Sequence, residues 1–217
     1  MNSGLARSNQ QSEVSRLAAK DCLLAAVRTA CQSSKSTKIE VQGAGHLWID
    51  PGQGRFWGRI QDKHLFFRTP SKAALITHGD IPKQHKHGRP LEELLWDAAF
   101  IGSSGELFEH CGLNDLVGLN FWPNLTRVTH TEITFALCAF LSKRPSTMHL
   151  AFRALHVQEG DAFAFYNAGI ETGCLRIIKA RTANASAIKA VESENSRPSA
   201  NEKLPFLARL FKRISRL

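Results

Sequence analysis

Thr129-His130-Thr131-Glu132-Ile133-Thr134-Phe135-Ala136-Leu137-Cys138-Ala139-Phe140-Leu141-Ser142-Lys143-Arg144-Pro145, continued by Ser146 to Ile178, is the stretch that decides how this chain folds. Thr129 and Glu132 have the spacing of a capping box, which predicts a helix starting near Thr129. Ile133, Leu137, Phe140 and Leu141 carry its apolar face, and Pro145 ends it. Ser146 is a suitable cap for a second, short helix through Met148, Leu150, Ala151 and Leu155. His156-Val157-Gln158 reads as a turn. A third helix is expected from Glu159 or Asp161, with acidic residues at its positive end. It carries Phe163, Phe165, Tyr166 and Ala168 and stops at Gly173, after which Cys174 to Ile178 reads as a short strand.

The string Leu150-Ala151-x-x-x-Leu155-x-Val157, followed by Ala162-Phe163, Ala168, Gly173 and Leu175, resembles the winged-helix superfamily over about 50 residues. In that pattern a small residue packs two helices together and an apolar residue follows the turn. Gly173-Cys174-Leu175 is then the reversal into the first wing strand. An ordinary three-helix bundle is the plainer alternative. The resemblance implies an architecture and not an activity. Two further strings, Leu94-Leu95-Trp96-Asp97-Ala98-Ala99 and Trp122-Pro123-Asn124-Leu125-Thr126-Arg127, look similar to segments of uncharacterised proteobacterial proteins and imply no activity either.

Winged helices commonly bind DNA, but the charges here oppose it. In helix-turn-helix readers the second helix of the motif enters the major groove, and Lys and Arg on phosphates supply much of the affinity. Glu159 to Thr172 holds Glu159, Asp161 and Glu171 and no lysine or arginine. The expected function is therefore a non-enzymatic regulatory or adaptor protein of the bacterial cytosol, acting on an unidentified protein partner through the winged-helix-like module. The alternative is a DNA-binding transcriptional regulator that uses the helix-turn-helix and a basic tail, with Arg153, Arg176 and Lys179 as nucleic-acid contacts. A third helix that is buried favours the adaptor; one central to a basic face favours DNA.

Working outward, the chain of 217 residues is long enough for one large or two small domains. The formal charge of +9 is unevenly placed: residues 1–38 carry +4, residues 39–178 carry −1 and residues 179–217 carry +6. The body is near neutral and the ends hold the excess, so the basic balance speaks for the ends alone. Five cysteines, an odd number with no CxxC, read as reduced thiols of a cytosol. Met1 to Gln11 is polar, without a signal-peptide core. The longest apolar run, Phe135 to Leu141, has 7 residues, whereas a spanning helix needs about 20. The expectation is a cytoplasmic chain.

Before the deciding stretch, residues 1–12 read as disordered and Glu13 to Gln32 as an amino-terminal helix. A small antiparallel β-meander follows, with strands at Ile39-Glu40-Val41, His46 to Ile49, Arg55 to Ile60 and Leu65-Phe66-Phe67, divided by the turn Asp50-Pro51-Gly52-Gln53-Gly54. Its aromatics, Trp48, Phe56, Trp57, Phe66 and Phe67, suit a half-buried pleated surface. His78 to Arg89 reads as a polar loop. Pro90 opens a helix carrying Leu91, Leu94, Leu95, Ala98 and Ala99, with Glu92, Glu93 and Asp97 on its solvated face. Within Leu113 to Arg127, the run Asn120-Phe121-Trp122-Pro123-Asn124-Leu125 cannot be one uninterrupted regular element, because proline removes a donor and restricts Trp122. The fold class is thus α+β, organised as residues 13–112 (helix plus meander), 113–178 (winged-helix-like), a linker over 179–202 and a basic amphipathic helix over 203–217.

In that last segment Leu207, Leu210, Phe211 and Ile214 fall on one helical face and Arg209, Lys212, Arg213 and Arg216 on the other. Such a helix suits a partner's groove or peripheral contact with an anionic membrane, or it docks internally. No catalytic residue, metal ligand or cofactor site is assigned. His78, His85, His87 and His110-Cys111 are considered as ligands and set aside, because Lys83, Lys86 and Arg89 would repel a cation. Gly43-x-Gly45 and Gly52-x-Gly54 lack the context of a nucleotide loop, and Cys111 beside His110 is not by adjacency an activated thiol.

Overall fold

Alternation and turn chemistry build the first sheet. The computed structural model describes residues 16–79 and 88–179. Thr37–Val41 (β2), Gly45–Asp50 (β3) and Arg55–Ile60 (β4) follow a two-residue strand, Arg16–Leu17 (β1), and a helix, Leu24–Gln32 (α1). In β2 the residues Thr37, Ile39 and Val41 are buried and Lys38 and Glu40 are not, as the period of two requires. Gly54 reverses the chain at φ +65°, a region that favours glycine, and the Asp50 carboxylate accepts from the Gln53 amide.

Two expectations about this region are corrected. The meander does not end on a strand at Leu65-Phe66-Phe67: Lys63–Arg68 is a helix (α2), because the Asp62 side chain caps it by accepting from the Leu65 amide at 2.9 Å. Both phenylalanines are buried in the hydrophobic core. The missing strand is Leu75–His78 (β5), which pairs with β2 from the far side, and Arg89–Pro90 (β6) pairs with β4. The order is therefore β5-β2-β3-β4-β6, antiparallel throughout. His78 and Arg89, read as the ends of a loop, are both strand residues.

The amino-terminal helix is also shorter than expected. β1 pairs in parallel with Leu107–Phe108 (β7), a 3-10 turn occupies Ala19–Asp21, and α1 begins only at Leu24. Between β6 and β7 lies Leu91–Gly102 (α3), with Pro90 at its N-cap rather than its first turn.

After Leu116–Leu119 (β8), the three expected helices are present: Glu132–Lys143 (α4), Met148–Leu155 (α5) and Glu159–Glu171 (α6). The first is capped at Thr131 and not Thr129, with the Thr131 amide donating to the Thr134 hydroxyl at 3.3 Å. His156, at φ +53°, turns the chain between α5 and α6. Gly173, at φ +71°, turns it into Leu175–Lys179 (β10). Ser146–Thr147 (β9) completes a second antiparallel sheet in the order β10-β8-β9. Its middle strand comes from before α4.

The architecture is α+β. α3 and α6 pack against each other at its centre, with Trp96 and Phe165 edge to face at 6.3 Å between ring centroids. α3 also packs against α1, α2 and the strands β4 and β6. One hydrophobic core includes Ile39, Leu47, Trp96, Phe108, Val117, Leu137, Phe165 and Leu175, and so runs across the expected division at 112/113. Lys179 belongs to a strand and not to a linker. The expectations for residues 1–12, for the remainder of the linker and for the amphipathic segment 203–217 lie outside the described residues. Among the described residues no helix is long and apolar enough to cross a membrane.

Candidate partner-binding site

α3 does not have the solvated acidic face that its sequence suggests. Glu92 is exposed, but Glu93 and Asp97 are 6% and 3% exposed. A buried carboxylate needs a cation and hydrogen bonds to persist, and both have them. Glu93 accepts from Arg89 Nε at 2.7 Å and from Arg127 Nε at 3.0 Å. Arg89 also donates to the Arg127 carbonyl at 2.7 Å and lies 5.2 Å above the Phe56 ring. Asp97 takes Lys63 Nζ on one oxygen at 3.2 Å and the Thr129 amide on the other at 2.8 Å. The neighbouring Trp96 donates its indole N–H to the Thr129 carbonyl at 2.8 Å.

These bonds hold the carboxyl end of the segment that Pro123 interrupts. Its amino end is held as firmly. The Asn120 amide donates to the Cys174 carbonyl and its side chain to the Gly173 carbonyl, at 2.8 and 2.9 Å. The Cys174 thiol lies 3.1 Å from the Phe121 carbonyl. Inside the segment, the Arg127 and Val128 amides both donate to the Asn124 carbonyl. The loop from Asn120 to Thr129 is therefore fixed at both ends and braced within.

What this rigid loop displays is apolar. Phe121 is 49% exposed, Trp122 43% and Phe135, on α4, 62%. Trp122 and Phe135 stack on each other at 5.2 Å between centroids, tilted by 60°. Beside them opens a cleft of about 240 Å³ walled by Pro90, Trp96, Phe121, Trp122, Pro123 and Val128, with Glu92 and Glu93 on its charged side. A larger hollow of about 570 Å³ lies at the β2–β3 turn, but Glu40, the acidic residue that lines it, is half-exposed and paired with Lys38.

A second buried carboxylate cluster joins α1 to the end of α6. Glu171 pairs with Arg28 through both oxygens and with His110 Nε2 at 3.0 Å. Burial works to raise its carboxyl, and the bonds from His110 and Arg28 outweigh burial, so its pKa lies below the usual carboxylate range. Cys111 is buried next to this cluster, and desolvation pushes its thiol up to about 12. A thiol so placed is not a nucleophile at neutral pH. His78 instead bonds the Thr37 hydroxyl across β2 and β5, at 3.1 Å. His85 and His87 lie outside the described residues. Among the described residues no group of three or more His, Cys, Asp or Glu side chains is placed to hold a metal ion.

The expected nucleic-acid contacts are distributed differently from this site. Arg153 on α5 and Arg176 and Lys179 on β10 are all exposed, and among the described residues none enters an ion pair. The helix between them, α6, is buried from Ala162 through Gly169. The tail residues Leu207 to Arg216 lie outside the described residues. Sequence reading did not assign the aromatic loop. The signal was available in Phe121-Trp122-Pro123, two large aromatics beside a proline in a segment that no regular element could hold. The i,i+4 spacing of Arg89, Glu93 and Asp97 was the corresponding signal for the ion-paired seam.

The chain matches no family model, and no curated protein or solved structure matches it either.

Proposed function

We propose that the protein is a non-enzymatic regulatory or adaptor protein that works through protein contacts, and that its partner docks on Phe121, Trp122 and Phe135. The observation that carries this reading is that two large aromatics, Phe121 and Trp122, are exposed on backbone that is fixed at both ends, with the exposed Phe135 of α4 packed on Trp122. Exposed apolar patches mark interaction sites, and Trp is enriched among the residues that dominate binding energy. A rigid display loses little entropy on docking. The cleft beside it, about 240 Å³, is smaller than the roughly 300–1,000 Å³ of small-molecule sites. It suits one apolar side chain of a partner better than a cofactor.

The α4–β9–α5–α6–β10 unit is, on this proposal, a winged-helix-like scaffold turned to packing. Its third helix buries eight consecutive residues, Ala162 to Gly169, and so has no apolar-free face to lay in a groove. Its acidic first turn, Glu159 and Asp161, opposes phosphate. All five cysteines are without a disulfide, which supports a reducing, cytosolic setting.

The test places a photo-crosslinking phenylalanine analogue at Phe135, and separately at the exposed Leu150, in the intact chain. The expected result is a discrete protein adduct from position 135, absent from position 150 and lost when Trp122→Ala is added. Equal crosslinking at both positions would overturn the reading. So would salt-sensitive binding of random duplex DNA that disappears in the combined variant Arg153→Gln, Arg176→Gln, Lys179→Gln.

A further inference from the structure

β10 is the outer strand of the second sheet, and its register with β8 slips by one residue. Arg176 lies opposite Gly118 and Ile177 opposite Val117, but Lys179, and not Ile178, lies opposite Leu116. Ile178 is thus the extra residue of a β-bulge. Leu116 and Gly118 are two apart on β8 and share a face. The bulge therefore brings Lys179 onto the face of Arg176, where strict alternation would have turned it inward. Ile178 joins them there. A Cβ on Gly118 would stand 3.1 Å from Ile178 Cδ1, 3.7 Å from Pro145 Cγ and 3.8 Å from Arg176 Nε, so these three side chains meet over one glycine.

The face is cationic, and its strands supply no exposed acid to balance it. Arg176 and Lys179 are exposed, as are Lys143 and Arg144, which precede Pro145. Among the described residues none of the four enters an ion pair. No Asp or Glu occurs from Leu116 to Thr131, from Ile133 to Gln158 or from Thr172 to Lys179, the stretches that contain all three strands. Asp115, just before β8, is buried and accepts from the Gly112 amide. Among these cations stand exposed apolar groups: Pro145, Ile177 at 39% and Ile178 at 45%. A bulge and a lysine are enough to keep an edge strand from pairing with another chain. The two isoleucines add nothing to that protection.

We infer that this bulged face is a peripheral contact surface for an anionic phospholipid membrane. Arg176 and Lys179, flanked by Lys143 and Arg144, meet the anionic headgroups, and Ile177, Ile178 and Pro145 enter the boundary between headgroups and acyl chains. Peripheral binding combines buried apolar area with attraction to anionic lipid, and this face offers both within two strands. Nucleic acid would use the cations alone: a duplex has no apolar layer for the isoleucines, and the face carries no aromatic ring for bases to stack on. The inference does not depend on the docking role of the aromatic loop, which lies on other residues.

The test is co-sedimentation of the intact chain with phosphatidylcholine vesicles, with and without phosphatidylserine. Binding is expected only with the serine lipid. Each cation removed from the face should weaken it about fivefold, equivalent to about 1 kcal/mol, so Arg176→Gln with Lys179→Gln should weaken it about 25-fold. Lys35→Gln with Lys72→Gln removes the same charge from exposed positions elsewhere and should change it less than about twofold. Ile178→Ser leaves the charge alone and should weaken binding about fivefold, with Ile178→Leu restoring it. Four results would each overturn the inference: equal binding to both vesicles, equal losses in the two charge pairs, an unchanged Ile178→Ser, or random duplex DNA that displaces the vesicles and itself binds Ile178→Ser undiminished.

Discussion

The two central helices, α3 and α6, are both buried, but they bury different chemistry. α3 takes two carboxylates into the interior, each joined to cations supplied from elsewhere in the chain: Lys63 reaches Asp97 across 34 residues, and Arg127 reaches Glu93 from the aromatic loop. α6 buries aromatics, alanines and one amide, Asn167, which accepts from the Phe108 amide and donates to the Glu106 carbonyl. Its acids sit at its ends, Glu159 and Asp161 in the first turn and Glu171 as its last residue. The difference teaches where function can sit. α6 is a packing helix whose interior is apolar or neutral. α3 carries a charged seam, and that seam also anchors the loop on which Phe121 and Trp122 stand.

The largest expected effect tests the packing side of this contrast. Phe165→Ala removes a fully buried ring against Trp96 and should destabilise by about 3–5 kcal/mol in urea unfolding, while Phe135→Ala, on the exposed rim, should lie near the ±0.5 kcal/mol typical of surface changes. Similar losses for the two would erase the distinction between core and display. The charged side comes next. Replacing both Arg89 and Arg127 with glutamine leaves Glu93 buried without a cation, at a cost of about 3 kcal/mol. The same double change with Glu93→Leu should recover much of that stability, and no recovery would show that the arginines act through Phe56 or the loop instead.

The smallest effect is read from pH. The Glu171 carboxyl lies below its ordinary range in the folded chain. A depressed carboxylate contributes stability that is present above the unfolded pKa, about 4.3, and is lost as pH falls through the folded value. The stability gap between the native chain and Glu171→Gln should therefore hold above neutral pH and narrow below about pH 4. Unfolding midpoints across that range check it, and a gap independent of pH would assign the Arg28–Glu171–His110 cluster to packing alone.

Local pattern was sufficient for much of this fold. The alternation in Thr37 to Val41, the Asp50-Pro51-Gly52-Gln53-Gly54 turn, Pro145 as a helix stop and Gly173 as a reversal each act within a few residues, so the sequence carried them directly. It failed where two local signals competed. Leu65-Phe66-Phe67 has strand composition, but the Asp62 cap and burial of one face made it helical. Glu93 and Asp97 look solvated because charged residues generally are; only the arrival of Arg127, Lys63 and the Thr129 amide from distant positions lets them be buried. Phe121-Trp122-Pro123 marks a segment outside the regular elements, but the exposure of its aromatics depends on bonds to Gly173, Cys174 and Asp97 that are made between elements. By itself, the sequence determined α3 to α6, the turns and the acidic character of Glu159 to Thr172. The tertiary structure decided which of those faces meets solvent, because burial and ion pairing are settled between elements and not within them.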